Sequence, residues 1–159
     1  MGGDLFMITI YTTPSCSSCR KAKKWLDEHK VPYEEKNLFN HRIDDTDIEM
    51  MLNHAENGFD DIISTRSKVF KEQELEVEDM SVSELKSFII NHPSVLKRPI
   101  IVDAKRMQVG YNDEEIRVFI PKRLREMIMR ENSEEDFTHY DETLSRYFAT
   151  MTDEIDDEE

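Results

Sequence analysis

The chain opens with a β-branched apolar run, Met7-Ile8-Thr9-Ile10-Tyr11, and then a segment in which Ala22, Trp25 and Leu26 recur at helical spacing. The first predicts a strand and the second a helix ending near His29-Lys30, before Val31-Pro32. Tyr33 to Phe39 reads as a second strand or extended segment, and strand, helix and strand of this length make a βαβ unit. The pattern then turns helical. Asp44 or Asp45 can cap a helix carrying Ile48, Met51 and Leu52, which Asn57-Gly58 would stop through the left-handed conformation open to glycine. A short helix is expected across Ile62 to Phe70. Ser81-Val82-Ser83-Glu84 reads as a capping box before a helix with Leu85, Phe88 and Ile89 facing inward, ending at Asn91-His92-Pro93. The stretch from about 44 to 92 is thus expected to be a helical insertion.

Strand signals return at Pro99-Ile100-Ile101-Val102-Asp103 and, after Ala104-Lys105, at Arg106-Met107-Gln108-Val109-Gly110, a pattern that predicts a hairpin. Asn112, with Glu115 three positions on, would cap a last helix striped by Ile116, Phe119 and Ile120, kinked or restarted at Pro121. Such stripes more often reflect packing than chemistry, so Trp25, Phe88 and Phe119 are assigned to the core. With only four glycines there is no phosphate-binding glycine loop, and no internal repeat is visible.

At 159 residues the chain suits one domain with a real core. No apolar run approaches the ~20 residues that span a bilayer, and the N-terminus lacks a basic region followed by an apolar one, so neither membrane nor secretion is expected. The expected compartment is the reducing cytoplasm, with Met7 as an alternative start. Charge sharpens the division of the chain. Of the formal −14, residues Glu131 to Glu159 carry −11, leaving −3 on the first 130 residues. An acidic tail follows a nearly neutral body. Its composition argues for disorder, although Phe137, Tyr140, Leu144, Tyr147 and Phe148 are spaced for a short amphipathic helix that could form on a partner. Lys122-Arg123-Leu124-Arg125 reads as solvated helix surface, and intrinsic DNA binding is expected to be weak.

The only two cysteines lie in Thr12-Thr13-Pro14-Ser15-Cys16-Ser17-Ser18-Cys19-Arg20-Lys21, three positions apart at the junction of the first strand and helix. Unpaired N–H groups and the positive end of the helix dipole favour a thiolate there. Arg20, Lys21 and Lys23 add positive charge. A second thiol one turn away can resolve a sulfenic acid or a mixed disulfide. A zinc half-site is the competing reading, but it needs two more ligands; there is no second cysteine pair and the histidines at 29, 41, 54, 92 and 139 are scattered. Two reduced cysteines without chemistry are a further alternative. No metal or cofactor is expected.

Four segments in order, Cys16-Ser17-Ser18-Cys19-Arg20-Lys21-Ala22, Ile62 to Phe70, Arg98-Pro99-Ile100-Ile101-Val102 and Gln108-Val109-Gly110-Tyr111-Asn112, resemble the Spx family of redox-sensing transcription regulators in the arsenate reductase (ArsC) superfamily. The resemblance runs from Met7 to about Arg130 and implies an α/β thioredoxin-like fold with a helical insertion lobe over 7–130, followed by the tail 131–159. It also implies a cis peptide at Arg98-Pro99. The implied function is control of the thiol-stress response by binding the C-terminal domain of the RNA polymerase α subunit, with promoter DNA met only together with polymerase. A Cys16-Cys19 disulfide would be the switch, Cys16 the attacking thiol, Arg98 its support and Gly58 the partner contact. Where the family often carries a basic residue five positions before that glycine, this chain has Asn53. A monomer is expected, as is turnover by a Clp protease with its adaptor, although the family's short recognition tail is not recognisable in the acidic extension.

The rival reading is an enzyme, an arsenate reductase or a general thiol-disulfide oxidoreductase of the same superfamily. Reductases need several arginines around the oxyanion. Arg66 and Arg98 match two of them, Val109 stands where a third is expected, and such enzymes usually lack a cysteine at the position of Cys19.

Overall fold

In a computed structural model the chain is described over residues 8–64, 67–73 and 76–120, together with Leu124 and Glu126. The start Met1 to Met7, Arg66, Pro121, most of the Lys122 to Arg130 run and the acidic segment 131–159 lie outside the described residues. Four strands form a mixed sheet in the order β2-β1-β3-β4: β1 (Ile8–Thr12), β2 (Tyr33–Asn37), β3 (Ile100–Val102) and β4 (Met107–Val109). β1 and β2 run parallel, as the crossover helix α1 (Ser17–Glu28) between them requires, whereas β3 pairs antiparallel with both β1 and β4.

The period-two alternation of the strands sorts their side chains onto two cores. Ile8 and Ile10 of β1 and Ile101 of β3 meet Ala22, Trp25 and Leu26 of α1 on one face. Tyr11, Ile100 and Val102 face the other way, into a second core shared with the helices between β2 and β3. Each fully buried aliphatic side chain contributes roughly 1.5–3 kcal/mol, so α1 is held by its apolar stripe rather than by helix propensity. The end of α1 is a Schellman turn in which Val31 N–H bonds Leu26 O at 2.9 Å and Lys30 N–H bonds Asp27 O at 3.2 Å, with Lys30 at φ 55° where glycine is usual.

The expected insertion is present as α2 (Asp45–Asn53), α3 (Lys68–Gln73) and α4 (Val82–Asn91), interspersed with short 3₁₀ turns. Its details correct the sequence reading in three places. α2 stops at His54, not at Asn57-Gly58, because the Asp61 carboxylate takes the Asn57 backbone N–H at 2.9 Å and so satisfies it outside a helix. The helix expected from Ile62 starts only at Lys68, since Ile63 bridges antiparallel to Leu96, with Ser64 N–H on Val95 O at 2.7 Å and Lys97 N–H on Ile62 O at 2.8 Å. After Asn112 the chain forms a 3₁₀ turn over Glu115–Phe119 rather than an α-helix. Ile120 N–H bonds Arg117 O at 3.0 Å, and proline at 121 has no N–H with which to continue in α geometry. Ile116, Phe119 and Ile120 are nonetheless buried, as their spacing implied.

Candidate functional site

Cys16 is the N-cap of α1. Its backbone is extended (φ −99°, ψ 109°) and its Sγ accepts the Cys19 N–H at 3.1 Å, the bond a serine or aspartate oxygen makes at an ordinary cap. The Cα atoms of Cys16 and Cys19 are 5.2 Å apart and their sulfurs are joined in a disulfide. Cys19 is buried, 1% exposed on the inner face of α1, while Cys16 is half-buried at the surface. In the dithiol form the N–H groups of the first turn would face the Cys16 sulfur, so a negative sulfur is favoured there and Cys16 is the more accessible of the two.

A cleft of about 520 Å³ opens over Cys16, lined by Thr13, Ser15, Ser64, Ser94, Lys97 and Arg98 among others. It is a hydroxyl-rich wall with two cations, and among the described residues no acidic side chain lines it. Arg98 lies on this wall just before β3, and its peptide bond to Pro99 is cis, as the resemblance implied. One guanidinium nitrogen donates to Ser94 O at 3.2 Å. Lys97 extends to Asp60 O at 3.1 Å and so joins this wall to the 3₁₀ turn Gly58–Asp61. Of the arginines a reductase would need, Arg98 is at the cleft, Arg66 is not among the described residues, and Val109 packs against the lobe-side core.

Gly58 opens that 3₁₀ turn at φ +64°, and nothing lies within 4 Å of the place a Cβ would occupy. The turn is clamped by Asp61, whose carboxylate accepts both the backbone N–H of Asn57 at 2.9 Å and its side-chain amide at 3.2 Å. Those bonds hold the Asp61 carboxyl below the usual range. Gly58 is therefore a surface feature with a glycine-specific backbone and no close neighbour of its own chain. Asn53 ends α2 and is exposed.

Two polar clusters at the C-terminal ends of β1 and β2 escaped the sequence reading. On the α1 face, Thr12 Oγ1 donates to Glu35 Oε2 at 2.6 Å, and Lys23 of α1 pairs with the same oxygen at 3.0 Å. On the lobe face, Asp47 of α2, only 5% exposed, accepts Tyr11 Oη and Lys36 Nζ on one oxygen, each at 2.7 Å. Its other oxygen takes the Asp44 N–H at 2.9 Å, completing a capping box. Burial pushes the Asp47 carboxyl up, but the bonds from Lys36, Tyr11 and Asp44 outweigh it and hold the group below its ordinary value. Burial, reinforced by the Asp47 charge, drives the Tyr11 hydroxyl far above the ordinary tyrosine range. At Glu35 the bonds from Thr12 and Lys23 likewise overcome burial and lower the carboxyl. The available signal was Glu34-Glu35-Lys36 inside a strand, charges that had to find partners beside an otherwise apolar β1.

The ArsC family model matches residues 11–119. The Spx global transcriptional regulator of Bacillus subtilis is 50% identical over 125 residues, covering 79% of this chain and 95% of the relative. That of Streptococcus pneumoniae is 51% identical over 79% of this chain and 94% of the relative, and that of Staphylococcus aureus 46% over 79% and 95%. Among solved structures, an ArsC family related protein from Bacteroides fragilis aligns with a TM-score of 0.62 at 24% identity, covering 70% of this chain and 96% of its own. An arsenate reductase from Vibrio cholerae aligns with 0.62 at 19%, covering 71% and 97%. At these identities it is the fold that is shared. With a family model spanning most of its described residues and Spx regulators half identical over nearly their whole length, the chain belongs to the ArsC family, in its Spx group.

Proposed function

We propose that this protein is a redox-sensing global transcriptional regulator that binds the C-terminal domain of the RNA polymerase α subunit and is switched by the Cys16–Cys19 pair. The observation that carries the reading is a cysteine cap with a partner one turn away in a chain half identical to regulators of that name. The reaction of the switch is a two-electron exchange. The Cys16 thiolate attacks one sulfur of a disulfide oxidant and releases the first thiolate; the Cys19 thiolate then attacks the Cys16 sulfur and releases the second. Arg98 stands on the wall beside Cys16 and serves as the positioning residue of the oxidised form.

Gly58 is the centre of the polymerase contact, a role supported by its half-buried surface position, its positive φ and the open space where a side chain would stand. The regulator acts in the cytoplasm as a monomer, meets promoter DNA together with polymerase, and is removed by a Clp protease with an adaptor. Among the described residues no helix is long and apolar enough to cross a membrane. The acidic segment 131–159 is assigned a regulatory role on polymerase affinity or on lifetime in the cell.

The experiment is a binding titration with the purified α C-terminal domain. The wild type should bind saturably and Gly58→Arg should not, with circular dichroism of the two superimposable; equal binding by both would overturn the contact. The same preparations should turn over neither arsenate nor a small disulfide substrate above a Cys16→Ser control. Steady turnover of either would favour the enzyme reading.

A further inference from the structure

The sheet places the two polar clusters back to back. Tyr11 and Thr12 are consecutive on β1, and Glu35 and Lys36 are consecutive on β2, so alternate side chains of the same two strands grip opposite layers. Thr12 donates to Glu35, and Glu35 pairs with Lys23 of α1, the helix that carries Cys19 and is capped by Cys16. Tyr11 and Lys36 hold Asp47 in the first turn of α2, the helix that leads into the Gly58 turn. Lys36 also lies over the Tyr11 ring, 5.9 Å from its centre. Beyond Thr12, only Thr13, Pro14 and Ser15 separate β1 from Cys16.

We propose that the buried Tyr11–Asp47–Lys36 cluster is a coupling device that ties the position of α2 to the redox state of the Cys16–Cys19 pair, working through the ends of β1 and β2. Asp47 is a positioning residue, since it touches neither sulfur. Closing the disulfide fixes the Cys16 end of the loop that continues β1; opening it frees that end. The Tyr11 and Thr12 side chains carry the difference to both layers, because each ends in a short bond to a partner that is itself anchored. Linkage makes the effect reciprocal: whatever oxidation does to the anchoring of α2, weakening that anchoring must do to the disulfide equilibrium by the same factor. The inference rests on the reading that the lobe bears the polymerase contact, but its test needs no polymerase and so fails or succeeds separately.

The full-length protein is equilibrated in buffers of reduced glutathione and glutathione disulfide, and the dithiol-to-disulfide constant is read by alkylation and mass. Asp47→Asn should shift that constant at least threefold, about 14 mV for a two-electron couple. Ile89→Val, a truncation in the same lobe core but outside the cluster, should leave it within the error of the wild type. In the wild type, hydrogen exchange of amides 45–53 should differ between the disulfide and dithiol forms, and in Asp47→Asn that difference should vanish. Identical exchange of α2 in the two wild-type forms overturns the proposal, as does an unshifted constant in a cooperatively folded Asp47→Asn. An equal shift in Ile89→Val also overturns it, by reducing the effect to general loosening of the lobe. Should Asp47→Asn not fold, Tyr11→Phe, which keeps the ring and removes only the donor, takes its place under the same outcomes.

Discussion

Tyr11→Phe removes one buried hydroxyl and leaves the ring in the lobe-side core. The bond lost is to a carboxylate, at 2.7 Å from Asp47, and hydrogen bonds to charged groups contribute about 1.5–3 kcal/mol. The lower end applies because Lys36 still holds the same oxygen at 2.7 Å. A loss of about 1.5 kcal/mol lowers Tm by roughly 4–8 °C for a domain of this size. Asp47→Ala goes further. It strands the Tyr11 hydroxyl, breaks the capping box and leaves the Lys36 ammonium, whose side chain is 20% exposed, without its partner. Breaking a buried pair costs about 3–5 kcal/mol, and with Lys36 partly in water the lower figure is expected. The double variant should then be no less stable than Asp47→Ala, since Tyr11 has no acceptor left to lose. Urea denaturation of the four proteins followed by circular dichroism gives the cycle, with a coupling of about 1.5 kcal/mol expected. A coupling below about 0.5 kcal/mol would refute the assignment of Asp47 as the acceptor that matters.

Acid should act through the same groups. Asp47 and Glu35 both have carboxyls lowered in the fold. The stability they contribute is therefore complete above the ordinary carboxylate range of about 4 and is lost as pH falls through the lowered folded values. Urea midpoints measured from pH 6 down to pH 3 should fall, and less steeply in Asp47→Asn; parallel curves would contradict this. At Gly58 the positive φ and the empty surroundings predict that Ala and Arg cost stability alike, about 1–2 kcal/mol each, while only Arg abolishes polymerase binding. An Arg variant much less stable than the Ala variant would make Gly58 a packing residue. In the dithiol form Cys16 should alkylate faster than Cys19, which is 1% exposed, and its rate should hold to lower pH than that of a free cysteine peptide. Equal rates at both sulfurs would remove the distinction between attacking and resolving thiol.

What was legible in the sequence was what local patterning determines. The β-branched run of β1, the stripe of α1 and the hairpin after Arg98-Pro99 gave the βαβ unit and the sheet, and the spacing of Cys16 and Cys19 gave the redox turn. The misplaced boundaries arose where a distant or side-chain partner overrode that pattern. The Asp61 side chain claimed the Asn57 amide, and the Leu96 backbone claimed Ile63. Asp47 was invisible for a related reason. An aspartate in a first helical turn normally marks the dipole, and only the fold brings Tyr11 and Lys36 to it from β1 and β2. Arg98 was reached by resemblance, whereas Lys97 beside it, linking the cleft to the Gly58 turn through Asp60 O, had no signal in the sequence.

The most direct measurement is transcription by purified RNA polymerase from a genomic template pool, read by sequencing, with the protein added as the Cys16–Cys19 disulfide or as the dithiol. The two forms should select different promoters, with at least a fivefold change at the most affected, as expected for a coupling of about 1 kcal/mol or more. Gly58→Arg and Cys16→Ser should each remove the difference. Identical transcript profiles from the disulfide and dithiol forms of the wild-type protein would contradict a redox switch at Cys16 and Cys19.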